Sequence, residues 1–194
     1  FTGSVATGKK ILHSCADKAI PAIVELGGKS AGIVYPDADL DQVIESARHG
    51  IFGVAGQICT AMSRLVVHKS VKDELVDKLV NLSKSLKVGP GYEEGSGLTP
   101  VISEKQLEKV EGYARSGIQQ GAEAVHGGKR VERDGYFMEA TVLNNVKRFK
   151  EIKEKLNKNL HELWESKELF SIFTLNNISF WPLIKDRLKK IYDY

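Results

Sequence analysis

The sequence predicts an α/β fold with a mostly parallel sheet, flanking helices and a helical tail. Two observations lead there. Short apolar runs bounded by Gly and Pro alternate with stretches whose apolar residues recur at helical spacing, the pattern of strands separated by crossover helices. The second is an abrupt change of composition. All 18 glycines lie between Gly3 and Gly135 and the last alanine is Ala140, so the 49 residues from 146 to 194 contain neither.

Gly3-Ser4 opens a helical run that reaches about Lys18. Ala22–Leu26 and Ala31–Tyr35 are short apolar runs suited to buried strands. Leu40, Val43, Ile44 and Ala47 mark a helix behind the acidic stretch Pro36–Asp41, where carboxylates favour a helix N-terminus. A loop with Gly53, Gly56 and Cys59 follows, and Arg64–His68 is the next strand. Leu75, Leu79, Leu82 and Leu86 form the apolar stripe of a helix expected to be capped by Ser70. Beyond the Gly/Pro-rich stretch 89–100, Ser103 and Gln106 make a capping box ahead of Leu107, Val110, Ala114 and Ile118. In the tail, Phe149, Ile152, Leu156, Leu160 and Leu163 keep helical spacing, so an amphipathic helix is expected over 147–170.

Composition excludes whole classes of function. At 194 residues, 42% hydrophobic and 27% charged, the chain is an ordinary globular one. The net charge of +3 gives no reason to expect a nucleic-acid or membrane partner. It divides unevenly, with net −1 over 1–145 and +4 over 146–194. Two cysteines, Cys15 and Cys59, cannot make a disulfide framework and point to a reducing, cytoplasmic setting. No apolar run approaches the ~20 residues of a membrane span. The chain starts at Phe1 inside what reads as a motif, and a fragment is expected.

Four stretches are candidates for chemistry. Phe1-Thr-Gly-Ser-Val-Ala-Thr-Gly8 is a Gly/Ser turn opening a helix, either a phosphate site made by free backbone N–H groups or a tight turn without a ligand. Glu25 ends an apolar strand before Gly27-Gly28; it is a candidate general base, or else an ion-pair partner of Lys29 or Arg64. Gly56-Gln-Ile-Cys-Thr60 presents Cys59 on a glycine-bearing loop, as a nucleophile or as a packed small hydrophobe, and Cys15 on its helix is read as packed. Asp37, Asp39 and Asp41 resemble the start of a calcium loop, but Gln42 and Arg48 stand where such a loop needs Gly and Glu. The five histidines have no metal-ligand spacing, and no metal is expected.

The order and spacing of Phe1–Gly8, Glu25–Lys29 and Gly56–Cys59, with Glu25 and Cys59 34 residues apart, resemble the aldehyde dehydrogenase superfamily. The likeness continues through Pro36–Asp41, Arg64–His68 and the stretch from Gly127 to Val142. It implies a partial fold of that family, with 1–26 as the end of a nucleotide-binding domain, 27–145 as an incomplete catalytic domain and 146–194 as an atypical tail. It also implies that Gly3, Ser4 and Gly8 contact the pyrophosphate of NAD or NADP, that Cys59 is the nucleophile and that Glu25 is the base. The implied reaction is thiolate attack on a small aldehyde, hydride transfer to NAD(P)+, and hydrolysis of the thioester by water that Glu25 activates.

The departures are equally definite. The family's Glu-x-Phe-Gly-Pro stretch is absent, because nothing after Gly135 contains glycine. By that resemblance, most of the nucleotide-binding half and the side-chain amide of the oxyanion hole are expected to be absent from this sequence too. Two readings follow: an oxidoreductase unit completed by a homo-oligomer or a complementary chain, or a non-catalytic remnant serving as an interaction module.

Overall fold

The computed structural model describes residues 1–146 and 169–173. β1 (Thr2–Gly3) leads into α1 (Val5–Asp17), and β2 (Glu25–Leu26) lies parallel to β1 with Thr2 opposite Glu25 and Gly3 opposite Leu26. β3 (Ala31–Val34), α2 (Leu40–Ala47) and β4 (Arg64–His68) form a strand–helix–strand unit; its crossover helix permits the parallel register Ala31 opposite Arg64. α3 (Lys69–Ser85), α4 (Glu104–Gln119), β5 (Glu123–His126), β6 (Val142–Asn144) and β7 (Leu169–Phe173) complete the described elements.

The larger sheet has the order β3-β4-β7-β6-β5. The α/β class holds, and parallel pairing holds for β1–β2 and β3–β4, whereas β4–β7, β7–β6 and β6–β5 are antiparallel. The link from β5 to β6 contains no helix that could carry the chain across the sheet, so those two strands turn back on each other.

The core lies under α3. Leu75 and Leu79 are fully buried against Leu65, Val67 and Val142 of the sheet, and Leu82 and Leu86 extend the stripe. A second cluster joins Leu107, Val110 and Ala114 of α4 to Val101 and Met138. Ser103 caps α4 as its sequence suggests, its Oγ accepting from the Gln106 N–H. Asp39 caps α2 by accepting from the N–H groups of Asp41 and Gln42, which accounts for part of the acidic stretch without any cation.

Three expectations shift. α3 starts at Lys69, and its cap is His68, whose Nδ1 accepts from the Ser70 N–H; Ser70 therefore lies inside the first turn. The strand expected over Ala22–Leu26 shortens to Glu25–Leu26, because its partner β1 is only two residues long. In the tail, residues 169–173 are extended and not helical, since they fill the place between β4 and β6 where backbone donors and acceptors on both sides need a strand. The rest of the helix expected over 147–170 lies outside the described residues.

Gly127 shows what the C-terminal part depends on. Its φ is +69°, a Cβ there would run into the Ala140 carbonyl oxygen, and Thr141 Oγ1 lies 2.9 Å from the same point. Left-handed strain and overpacking together give an expected loss of about 3 kcal/mol for Gly127→Ala. Urea unfolding checks this: the midpoint should fall with an unchanged slope, and a midpoint at the parental value would count against the close approach.

Candidate active site

α1 begins where β1 ends. Ser4 is its cap, with Oγ accepting from the Thr7 N–H at 3.1 Å and lying 2.9 Å from Thr7 Oγ1. The Val5 and Ala6 N–H groups precede the first intrahelical donor, the Gly8 N–H bonded to the Ser4 carbonyl at 2.8 Å, and residues 4–7 are exposed. That is the donor set a phosphate oxygen requires. Gly8 is buried and has a packing reason to be glycine: a Cβ there would lie 2.5 Å from Leu26 Cδ2. A side chain at that position would have to displace the end of the Leu26 side chain for the helix to approach β2 this closely. Of the three predicted cofactor residues, Gly3 ends β1, Ser4 caps the helix and Gly8 seats it on β2.

Glu25 lies in β2 and is exposed. Its N–H donates to the Phe1 carbonyl at 2.8 Å, and its carboxylate forms no ion pair among the described residues. The two cations considered as partners are engaged elsewhere. Lys29 Nζ donates to the Gly28 carbonyl at 2.5 Å, and Arg64 Nη2 donates to the Lys29 carbonyl at 2.6 Å. Burial of the ammonium pushes the Lys29 pKa below its usual value, with the charge of Lys109 adding to the effect. Burial likewise lowers that of Arg64, whose Nε is buried without a partner among the described residues. These cations fix the backbone of residues 28–30.

Cys59 sits at the corner of a turn closed by the Ala61 N–H and the Ile58 carbonyl at 3.0 Å, and it is exposed. The chain reaches that corner through unusual backbone. After a π-turn over Arg48–Phe52, Val54, Ala55 and Gly56 all take left-handed conformations, with φ of 50°, 52° and 71°. For a β-branched residue such as Val54 this costs about 1–3 kcal/mol. Val54 is 59% exposed, so burial of its side chain offsets little of that. Gln57 Oε1 accepts from the Ile102 N–H at 2.8 Å, and its Nε2 donates to the Val54 carbonyl at 3.1 Å and, at a longer 3.4 Å, to that of Pro100. Sequence reasoning quoted Gln57 only as part of the cysteine motif. Its carboxamide two residues from the thiol, beside a glycine, is the signal that was available.

These pieces meet at Gly28. A Cβ on Gly28 would lie 3.5 Å from the Cys59 carbonyl oxygen, so the segment following Glu25 passes directly against the cysteine turn. The parallel β1–β2 register puts Gly3-Ser4 at the same end as Leu26 and Gly27. Cys15 lies apart, half-buried on α1. A small cleft, open to solvent, touches the cysteine loop through Ala55 and is otherwise lined by Phe52, Leu98, Val110, Met138 and neighbouring residues; neither Cys59 nor Glu25 lines it. Among the described residues no group of His, Cys, Asp and Glu is arranged to hold a metal, and no helix is long and apolar enough to cross a membrane.

The first 60 residues thus carry an exposed thiol on a turn, an exposed carboxylate on the strand that leads to the segment touching that turn, and a helix start with free N–H groups. The model of the aldehyde dehydrogenase family matches residues 1–155. A probable betaine aldehyde dehydrogenase of Schizosaccharomyces pombe is 48% identical over 147 residues, 75% of this chain and 29% of that protein. A peroxisomal aminoaldehyde dehydrogenase of Pisum sativum is 45% identical over 75% of this chain and 29% of its own length. Among solved structures, betaine aldehyde dehydrogenase from Staphylococcus aureus in complex with NAD+ superposes with a TM-score of 0.70 at 38% identity, covering 75% of this chain and 30% of that one. An NADP-dependent enzyme of Escherichia coli gives 0.74 at 37% identity, with 79% and 32% covered. The chain belongs to the aldehyde dehydrogenase family and spans about 30% of the length of the relatives it matches.

Exposure separates the two thiols. Brief iodoacetamide treatment followed by peptide mapping should label Cys59 about tenfold faster than Cys15, whose helix face is partly covered. Equal labelling would remove the reading of this loop as a nucleophile loop.

Proposed function

We propose that this chain carries the acyl-forming site of an aldehyde oxidation, with Cys59 as nucleophile and Glu25 as general base. The observation that supports it most is the exposed Cys59 turn lying against Gly28, three residues beyond Glu25. The Cys59 thiolate adds to the carbonyl carbon of a small aldehyde. The Cys59 N–H, which has no acceptor among the described residues, faces the oxygen on which charge develops. Once the carbon is oxidised to a thioester, the Glu25 carboxylate takes a proton from water as the water attacks, and Cys59 leaves as thiolate. Glu25 suits that role by remaining exposed and free of an ion pair while Lys29 and Arg64 hold backbone carbonyls.

NAD(P)+, when bound, supplies the hydride acceptor this oxidation needs. The first turn of α1 fits one end of it: Val5 and Ala6 N–H groups, the Ser4 cap and the Gly3 strand end are suited to pyrophosphate oxygens. The same reading places the chain in a reducing, cytoplasmic compartment that keeps Cys59 as a thiol. It also has a second copy or a complementary chain cover the apolar surface of residues such as Ile23, which is 84% exposed, Val5 and Leu12.

An activated ester tests the acyl steps apart from hydride transfer. Glu25→Gln should take up acetyl from p-nitrophenyl acetate on Cys59 at the parental rate and release it about 10²–10⁴-fold more slowly. Unchanged release would leave Glu25 with a structural role only.

A further inference from the structure

We propose that Gln57 is a positioning residue for the Cys59 thiol, its carboxamide fastening the left-handed Val54–Gly56 turn to the Pro100–Ile102 segment; this rests on Cys59 being the nucleophile. Three consecutive residues here hold positive φ, and the first of them is a solvent-exposed valine that neither side-chain shape nor burial keeps in place. The conformation has to be imposed by hydrogen bonds. Gln57 supplies them from both ends of one side chain. Its main-chain N–H and its Nε2 both donate to the Val54 carbonyl at 3.1 Å, so that single oxygen receives two bonds from one residue. Its Oε1 accepts from the Ile102 N–H at 2.8 Å, tying the loop to a segment 45 residues away.

The consequence falls on Cys59. The next turn, Ile58–Ala61, starts immediately after Gln57, and the Cys59 N–H is at its corner. A rotation of the Val54–Gln57 backbone turns that N–H, and with it the donor available to a tetrahedral adduct, while leaving the thiol as exposed as before. Gln57 therefore governs where the thiol and its N–H stand relative to an incoming carbonyl, and has little influence on whether a reagent reaches the sulfur.

Two reactions of the same sulfur distinguish these effects. With p-nitrophenyl acetate the thiolate attacks the carbonyl carbon, a C–S bond forms, the C–O bond to p-nitrophenolate breaks, and the intermediate carries an oxyanion. With iodoacetamide the thiolate displaces iodide in line and no oxyanion forms. In a Cys15→Ser background, Gln57→Leu should lower the acylation rate constant by about tenfold or more, as loss of aligned oxyanion donors does. Its alkylation rate constant across pH should stay within about threefold of the parent, because exposure and thiolate character are kept. Equal falls in both rates, or no fall in either, would overturn the proposal. Gln57→Glu gives a second reading should the leucine variant fail to fold: it keeps the acceptor for Ile102 and loses the donor to Val54, so a selective fall in acylation is expected, and parental rates in both reactions would again overturn it. A Cys59→Ser chain acetylated at the parental rate would instead refute the nucleophile assignment itself, and the proposal with it, without reference to Gln57.

Discussion

The parallel register of β3 on β4 is the constraint on which the site depends. Ala31 stands opposite Arg64, so the residues just before each strand emerge at the same end of the sheet. Gly28 precedes Ala31 by three positions and Cys59 precedes Arg64 by five, which is why the two meet. The register is held from the buried side: Leu65 and Val67 point into the core under α3, and a slip of one residue would turn both outward. The same slip would carry Cys59 about 3.3 Å along the strand relative to Gly28. A second parallel register, β1 on β2, brings the start of α1 to the end of the Glu25 strand. Three motifs scattered over the first 60 residues are gathered by two short strand pairings.

Charge placement around this meeting point has a clear division of labour. Lys29 and Arg64, the two cations considered as partners of Glu25, bind main-chain carbonyls, and the carboxylate is left exposed. A salt bridge to Glu25 would have held the carboxylate in its charged form but lowered its capacity to accept a proton. Lys29 and Arg64 instead stiffen residues 28–30, the backbone that touches the cysteine turn. On the other side of that contact the turn is strained, and Gln57 holds it against Ile102. Rigidity is thus supplied from both sides of the contact, while the groups proposed to react stay exposed.

Much of this was legible in the sequence. The helices followed from the Gly3-Ser4 turn, the acidic stretch Pro36–Asp41, the Ser103–Gln106 capping box and apolar spacing, all of them local signals. β3 and β4 followed from apolar runs. What escaped was set by partners distant along the chain. His68 displaces Ser70 as cap because the strand runs straight into the helix, His68 being both the last ladder residue and the residue before Lys69. β5 is half polar and lies at a sheet edge, so no apolar run announced it. The Phe and Ile residues of Leu169–Phe173 suit a strand between β4 and β6, whereas the helical spacing that predicted 147–170 came from Phe149 to Leu163 upstream. The left-handed Val54 and Ala55 contradict their own propensities and were unreadable for that reason; such local contradictions belong where function demands a particular geometry.

Position, more than the identity of the reactive groups, decides what such a site can do. A single oxyanion donor contributes about 2.7–4 kcal/mol to a barrier, and general-base assistance about as much or more. Correct orientation of reacting partners contributes about 7–11 kcal/mol. The proposed acyl steps would use Cys59 and Glu25, whose segments meet through the Gly28–Cys59 contact, so their relative orientation would depend on two strand registers and on the Gln57 carboxamide. Hydride transfer adds a third body whose reacting ring must be held over the same carbon, and the start of α1 provides donors suited to its phosphate end alone. The two halves of the chemistry therefore make unequal demands on the fold: bond formation at sulfur requires a stiff turn, and oxidation requires that turn to be set against a cofactor held along its whole length.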